Sequence, residues 1–277
     1  MSYPKVLTIQ DVSCVGQCSL TVALPIISAC GVETCILPSA VLSTHTAGFK
    51  NFTFRDLTED LPKIKNHWVN ENIKFDAIYT GYLGSEKQIE YVQDIFRETG
   101  KENCVKIVDP AMADNGKLYS AFDNNYVQKM KTLCSEADFV LPNVTEACYL
   151  TDTEYKTEYD QKYVYGLLEK LTKIGAKNVI LTGISYAENK TGIVVYENGE
   201  YQYYEHELLP NSCHGTGDIY ASAFVGALMK GKSAYESAKI AGDYAVECIK
   251  ETIKHENHWY GATFEPVLSK LIEMING

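Results

Sequence analysis

One short segment, residues 213–218 (CHGTGD), combines residue types that suit chemistry on a charged group. An apolar run over 219–228 follows it directly, which predicts a loop that opens into a buried helix. Glycines allow close backbone approach to a ligand, and the first N–H groups of a helix are free to bind an anion. A carboxylate beside such an anion hole, here Asp218, could accept a hydroxyl proton during phosphoryl transfer. An ordinary helix start would also use these residues, so the prediction depends on the rest of the chain.

Two other segments place oxygen ligands at predicted strand ends. Asp109 and Asp114 lie five residues apart after one strand, and Asn143 and Glu146 begin a helix after Pro142. Mg²⁺ prefers hard oxygen ligands, keeps several waters and contacts one or two carboxylates together with phosphate. A turn before proline and a first-turn acid would explain Asp109 and Glu146 singly. Taken together, these residues predict a magnesium site.

Two polar loops could hold an uncharged part of a ligand. Loop 80–85 (TGYLGS) contains two glycines, and Tyr82 could lie over a flat ring. Ordinary turn chemistry, with Ser85 as a helix N-cap, explains the same loop. Residues 43–46 (STHT) follow an apolar strand, but a single histidine such as His45 is more often structural than catalytic.

Length and composition limit the class of protein. The chain has 277 residues, of which 45% are hydrophobic, and this size favours one α/β domain over residues 1–277. A formal net charge of -11 argues against nucleic acid or an anionic membrane as a partner. The nine cysteines include no C-x-x-C pair, which favours reduced thiols in a cytoplasmic protein. No apolar run approaches the roughly 20 residues of a membrane span.

Strand and helix patterns alternate along the chain, which predicts a mostly parallel sheet with helices on both faces. An Asn-Gly turn at 198–199 predicts a hairpin of 192–196 with 200–206, and this pair would add an antiparallel edge to the sheet. The other strands are predicted over 5–10, 32–37, 75–79, 105–108, 138–141 and 179–181, and the helices over 19–30, 58–70, 86–99, 124–135, 144–150, 162–174, 215–229, 234–254 and 266–275.

Polar or small residues follow five of these strands, where open parallel sheets bind ligands. They are Asp11, Tyr82, Asp109, Asn143 and the pair Thr182-Gly183. We therefore expect a single site along the carboxyl edge of the sheet.

These segments, in this order, resemble the ribokinase-type fold and, more narrowly, the pyridoxal (vitamin B6) kinase family. The resemblance runs from Val6 to about Tyr244. The Gly-Thr-Gly-Asp step is shared with many sugar kinases, whereas the TGYLGS and S-x-H-T segments are more particular to B6 kinases. The resemblance rests on Ile9-Gln10, Ser43-Thr44-His45-Thr46, loop 80–85, Asp109-Pro110, Pro142-Asn143 with Glu146, and Gly215-Thr216-Gly217-Asp218.

The resemblance implies an enzyme that transfers phosphate from ATP, with Mg²⁺, to the 5′-hydroxymethyl group of a B6 vitamer (pyridoxal, pyridoxamine or pyridoxine). It also suggests a homodimer. It implies a base, Asp218; an anion hole for the γ-phosphate, Gly215, Thr216 and Gly217; magnesium acids, Asp109, Asp114 and Glu146; residues along ATP, Asn143, Thr182, Gly183 and Thr216; and a pyridine pocket, Asp11, His45, Thr46 and Tyr82.

Two departures from the family pattern leave alternatives open. Asp11-Val12 stands where many B6 kinases have Ser-His, and Leu141 where they often have Thr. If Asp11 faces the ring, its charge would favour a protonated pyridine nitrogen or the amine of pyridoxamine. A hydroxymethylpyrimidine kinase of thiamine synthesis is the second candidate, although such enzymes often carry Cys at the position of Asp218. A sugar kinase and a B6-phosphate carrier without turnover are weaker alternatives.

Overall fold

The computed structural model describes residues 3–210 and 213–277. Within these residues one nine-stranded sheet forms the centre of the molecule, and a short hairpin lies apart from it. The sheet strands are β1 (Lys5–Ser13), β2 (Glu33–Leu42), β3 (Phe54–Asp56), β4 (Phe75–Thr80), β5 (Gly100–Val108), β8 (Phe139–Val140), β9 (Asn178–Ile184), β10 (Lys190–Glu197) and β11 (Glu200–Glu207), and the hairpin strands are β6 (Ala113–Asp114) and β7 (Lys117–Leu118).

The spatial order of the strands is β11-β10-β9-β8-β5-β4-β1-β2-β3. The six strands from β9 to β2 pair in parallel, while β3 at one edge and β10 with β11 at the other pair antiparallel. The helices are α1 (Leu20–Ala29), α2 (Leu61–Asn70), α3 (Glu86–Thr99), α4 (Asn124–Ser135), α5 (Val144–Leu150), α6 (Gln161–Lys173), α7 (Thr216–Met229), α8 (Ala234–Thr252) and α9 (Leu268–Asn276).

Helices cover both faces of the sheet, because successive side chains of a strand point to opposite sides. Leu7 and Ile9 of β1 pack in a core with α2 to α6, whereas Val6 packs in a second core with α1, α7, α8 and α9. The predicted mostly parallel sheet, with helices on both faces and an antiparallel edge, is confirmed. None of the helices in the described part of the chain is long and apolar enough to cross a membrane.

The sequence patterns missed three short strands. β3 and the hairpin strands β6 and β7 have two or three residues each and carry few buried side chains. Their pairing depends on neighbouring strands that a local pattern does not contain. β2 also continues through Pro38 to Leu42, beyond the predicted end at residue 37, because its Pro38 pairs with Gln10 of β1.

The parallel register brings the strand ends to one edge of the sheet. The backbone N–H of Gly81 donates to Ile9 O at 3.3 Å, and that of Asp109 donates to Thr80 O at 2.9 Å. The segment after β8 pairs with β9 through a bridge between Asn143 and Thr182. Residues that are far apart in the sequence therefore line a single edge.

Candidate active site

The glycine loop before α7 has the geometry of an anion-binding turn. Gly215 is the N-cap of the helix and has φ +79°, and a Cβ atom there would lie 1.8 Å from Gln17 O, so only glycine fits. The first helical bond runs from Ile219 N to Gly215 O, which leaves the preceding N–H groups without a partner inside the helix. Gly217 is exposed, with open space around its Cα, and can be approached by a ligand.

Asp218 lies in the first turn of α7 beside these free N–H groups. Burial and the charge of Asp11 raise the pKa of its carboxyl group to about 7, although the nearby backbone N–H of Ser19 opposes the rise. A helix start by itself would favour the ionised carboxylate. Desolvation outweighs this effect, because protein atoms surround most of this partly buried carboxyl group.

The acids from the middle of the chain lie close to Asp218. Burial, then the charges of Glu146 and Asp218, raises the pKa of Asp109 well above its usual range. Burial and four carboxylates, those of Glu146, Asp109, Asp114 and Asp218, also raise the pKa of Tyr119. The predicted base and the predicted magnesium acids therefore converge on one region of the sheet edge.

The acids by themselves do not form a complete metal-binding site. Within residues 3–210 and 213–277, no three His, Cys, Asp or Glu side chains form a group that could hold a metal ion. Glu146 Oε1 accepts from Met112 N at 3.1 Å and its Oε2 from Asn143 N at 2.9 Å. Asp114 is exposed, and its carboxylate accepts from the backbone and side chain of Asn115.

The acids nevertheless fit a hydrated divalent cation. The charged groups that act on Asp109 are both carboxylates, Glu146 and Asp218, and no lysine or arginine of the described chain offsets them. Asp109 is thus a hard oxygen donor in a region with excess negative charge. Mg²⁺ requires few protein ligands, since water and phosphate supply the others.

The predicted nucleotide residues differ in how accessible their side chains are. Asn143 caps α5: its Oδ1 accepts from Glu146 N at 2.9 Å, and its Nδ2 donates to Ala113 O at 2.9 Å. Thr182 is half-buried and donates to Pro142 O at 3.4 Å. Gly183 is exposed with φ +72° and has open space around it. Gly183 can therefore approach a ligand freely, while the Asn143 side chain is already committed to the fold.

Asp11 lies within β1, and its charge raises the pKa of Asp218. It is 5% exposed, and its two carboxylate oxygens accept from the hydroxyls of Ser19 at 2.5 Å and Ser13 at 2.9 Å. Its charge also acts on Tyr82, whose pKa is raised first by burial and then by Asp11. The Tyr82 ring lies 5.5 Å from that of Phe122, with which it forms an aromatic wall.

His45 is buried, and both of its ring nitrogens are used inside the protein. Ala47 N donates to Nδ1 at 3.1 Å, so the proton is on Nε2, which donates to Tyr260 O at 2.6 Å. This arrangement suits a histidine that shapes the loop more than one that transfers protons. Thr46 next to it is exposed and free to contact a ligand.

The sequence patterns gave no role to the segment 258–262 near the C-terminus. Tyr260 contacts His45, as described above, and Ala262 N donates to His214 O at 3.0 Å. The segment thus joins the polar loop after β2 to the glycine loop before α7. No motif marks it, because its contribution comes from backbone groups, which every residue except proline carries in full.

Two tyrosines near the acids were also missed. The charges of the four carboxylates raise the pKa of Tyr119, as described above, and Tyr79 is fully buried in β4. Burial and the charges of Asp109 and Asp218 raise the pKa of Tyr79. Tyr79 lies one residue before the end of β4, and this position at the sheet edge could have been predicted from the sequence.

The sheet, the glycine turn and the acid at a helix start define a ribokinase-like small-molecule kinase. The chain belongs to the phosphomethylpyrimidine kinase family, whose sequence pattern matches residues 23–263. The predicted ribokinase-like fold and the resemblance to pyridoxal kinases are confirmed.

Individual relatives are similar over most of their length. A candidate phosphomethylpyrimidine kinase from Bacteroides thetaiotaomicron, crystallised with pyridoxal, is 36% identical, covers 98% of this chain and 96% of its own, and superimposes with a TM-score of 0.92. Pyridoxal kinase from Lactobacillus plantarum is 29% identical, covers 99% of this chain and 98% of its own, and has a TM-score of 0.91. Pyridoxal kinase of Dictyostelium discoideum is 27% identical over 80% of this chain and 78% of its own.

Proposed function

We propose that this protein is an ATP- and Mg²⁺-dependent kinase that phosphorylates the 5′-hydroxymethyl group of a vitamin B6 vitamer. One observation carries the proposal: the charge of Asp11 raises the pKa of Asp218, and the charge of Asp218 raises the pKa of Asp109, so the three carboxylates lie near one another. A kinase must bring the acceptor hydroxyl and the metal-bound phosphate to the same base. Relatives named as pyridoxal kinases, and one crystallised with pyridoxal, support the choice of acceptor.

In this proposal each group has a limited task. Asp218 accepts the proton of the hydroxymethyl group, and the N–H groups of residues 215–217 bind the transferring γ-phosphate. Asp109, Glu146 and Asp114 would hold Mg²⁺, directly or through its waters. Mg²⁺ supplies charge neutralisation of the phosphates. Thr182, Gly183, Thr216 and Asn143 lie along ATP, and Asn143 contributes by fixing the start of α5 beside the phosphates.

The acceptor pocket has two kinds of contact. Tyr82 covers the flat ring, while Thr46 contacts its polar substituents. His45 holds the loop that carries Thr46. Asp11 gives the pocket a negative charge, which favours a vitamer with a protonated nitrogen.

A coupled assay of ADP release tests this function with pyridoxal, pyridoxamine, pyridoxine and hydroxymethylpyrimidine. We expect turnover with at least one B6 vitamer, none in EDTA, and strongly reduced turnover for Asp218→Asn purified in the same way, which controls for contaminating kinases. Faster turnover of hydroxymethylpyrimidine would favour the second candidate, which the family description supports. Vitamer binding without ADP release would instead indicate a carrier.

We further propose a single domain over residues 1–277, a homodimer and a cytoplasmic location. One sheet joins strands from residue 5 to residue 207, which supports a single domain. Both edge strands, β3 and β11, have free backbone groups that a second copy could cover. The nine cysteines are all free, as in a reducing compartment. Light scattering of the purified protein would measure the oligomeric state.

A further inference from the structure

Gly183 is an extra residue in the strand that ends beside the proposed nucleotide site. Thr182 of β9 pairs with Ile193 of β10, and Ile184 pairs with the preceding residue of β10, Gly192. This register leaves Gly183 without a partner in β10, and its φ of +72° is typical of a glycine in a β-bulge. The bulged residue is exposed, with open space around its Cα. Its backbone can therefore be approached by a ligand at the sheet edge.

A single tyrosine hydroxyl fixes this bulge. Tyr159 Oη donates to Gly183 O at 3.2 Å and accepts from Ser185 N at 3.2 Å. The same oxygen atom thus bridges the two backbone groups on either side of Ile184. Each of these bonds is modest by itself, but together they restrict the backbone of the bulge. A glycine that could otherwise adopt many conformations is held in one.

Tyr159 is itself held in place by the start of α6. It is half-buried, and the next residue, Asp160, is the N-cap of α6, whose Oδ1 accepts from Tyr163 N at 2.9 Å. The Tyr159 ring also packs against those of Tyr163 and Tyr186, with ring centroids 5.7 Å and 6.4 Å apart. The hydroxyl that binds the bulge therefore has a fixed position.

We propose that Tyr159 is a positioning residue for the nucleotide, whose hydroxyl holds the Gly183 bulge in the conformation that contacts ATP. The inference rests on the proposed kinase function, in which Gly183 lies along ATP. A flexible glycine would have to become ordered when ATP binds, and this ordering would weaken the affinity. A bulge that is fixed beforehand avoids the loss. Tyr159 should therefore affect nucleotide affinity more than the rate of the chemical step.

Kinetics of two tyrosine variants test the proposal. Tyr159→Phe keeps the ring and removes the bridging hydroxyl, so we expect KM for ATP to rise about 5- to 20-fold, while kcat at saturating ATP and KM for the vitamer change by less than about 2-fold. Tyr163→Phe is the matched control, because its hydroxyl donates to Glu154 O at 2.6 Å and its ring packs on Tyr159. The control should leave all three constants close to those of the wild type. An unchanged KM for ATP in Tyr159→Phe, an equal rise in both variants, or a loss of kcat alone would overturn the proposal.

Binding of a non-hydrolysable nucleotide tests the same role without turnover. Calorimetric titration with AMP-PCP and Mg²⁺ should give a Kd about 5- to 20-fold higher for Tyr159→Phe than for the wild type. Tyr163→Phe should bind AMP-PCP as the wild type does. Equal affinities of the wild type and Tyr159→Phe, or no binding to the wild type, would overturn the positioning role.

Hydrogen exchange measured by NMR tests the geometry of the bridge. The amide of Ser185 donates to Tyr159 Oη, so it should exchange about 10-fold faster in Tyr159→Phe and at the wild-type rate in Tyr163→Phe. An unchanged exchange rate in Tyr159→Phe would overturn the bridge. If the wild-type protein phosphorylates no vitamer, the proposed function fails, while the AMP-PCP titration and the exchange of Ser185 still decide whether Tyr159 positions the nucleotide.

Discussion

Asp218→Asn should abolish most turnover and at the same time stabilise the unliganded protein. The pKa of Asp218 is about 7 in the folded protein, compared with 3.8 for an ordinary aspartate. Since each pKa unit corresponds to about 1.4 kcal/mol, keeping the ionised carboxylate in the folded state costs about 4 kcal/mol. Asparagine has nearly the same shape, can accept the same N–H and carries no charge that must be desolvated.

The size of this effect depends on pH. Between pH 3.8 and about pH 7 the folded protein binds more protons at Asp218 than the unfolded chain does. The contribution of this group to the free energy of unfolding therefore falls as the pH rises through that range. Asparagine does not titrate, so the free energy of unfolding of Asp218→Asn should exceed that of the wild type by about 2 kcal/mol near pH 5.5 and by about 4 kcal/mol near pH 8.

Urea unfolding without nucleotide, near these two pH values, measures the difference. Asp152→Asn is the matched control: its side chain is 77% exposed, so the same change of charge should alter the free energy of unfolding by less than about 1 kcal/mol. ADP release by Asp218→Asn should be lower by about 100- to 10,000-fold. Equal stability of wild type and Asp218→Asn near pH 8 would refute the desolvation argument, and near-wild-type turnover would remove the proposed base.

Two further predictions concern the same loop and base. The kcat/KM for ATP should fall below about pH 7, because Asp218 must be ionised to accept a proton. Asp11→Asn removes a charge that raises the pKa of Asp218, so this fall should begin at a lower pH in the variant. The same pH–rate profile in Asp11→Asn and wild type would contradict this prediction. Gly215→Ala should lower the midpoint of thermal unfolding, because the new Cβ would clash with Gln17 O. Gly217→Ala has free space around its Cβ and should mainly raise KM for ATP. Equal unfolding midpoints of the two variants would show that the turn tolerates a side chain at residue 215.

Helix boundaries were predictable where the signals were local. The bounds of α3, α4 and α5 were predicted to the residue. Capping residues precede all three: Ser85, Asp123 and Asn143 each accept a backbone N–H of the first turn. Where pairing depends on distant residues, as in β3, local patterns gave no signal.

The sequence also indicated which strand ends carry chemistry, but not how each side chain is used. Asn143 and Glu146 were expected at the phosphates and the metal. In the structure they satisfy each other in a capping box, with Asn143 Oδ1 on Glu146 N and Glu146 Oε2 on Asn143 N. The spacing did not indicate that Met112 N and Ala113 O, at the β6–β7 hairpin, also bind these two side chains, and their roles at the phosphates and the metal stay predictions.

The sequence alone determined the order of the longer strands and the helices, the glycine turn and the residue types along the sheet edge, because periodicity, capping and glycine content act over a few neighbouring residues. The tertiary structure decided the pKa of Asp218 and the contact of segment 258–262 with the loops. These properties depend on burial and on partners hundreds of residues away, such as His45 and Tyr260. Desolvation arises only when the chain is packed, and for that reason no local pattern encodes it.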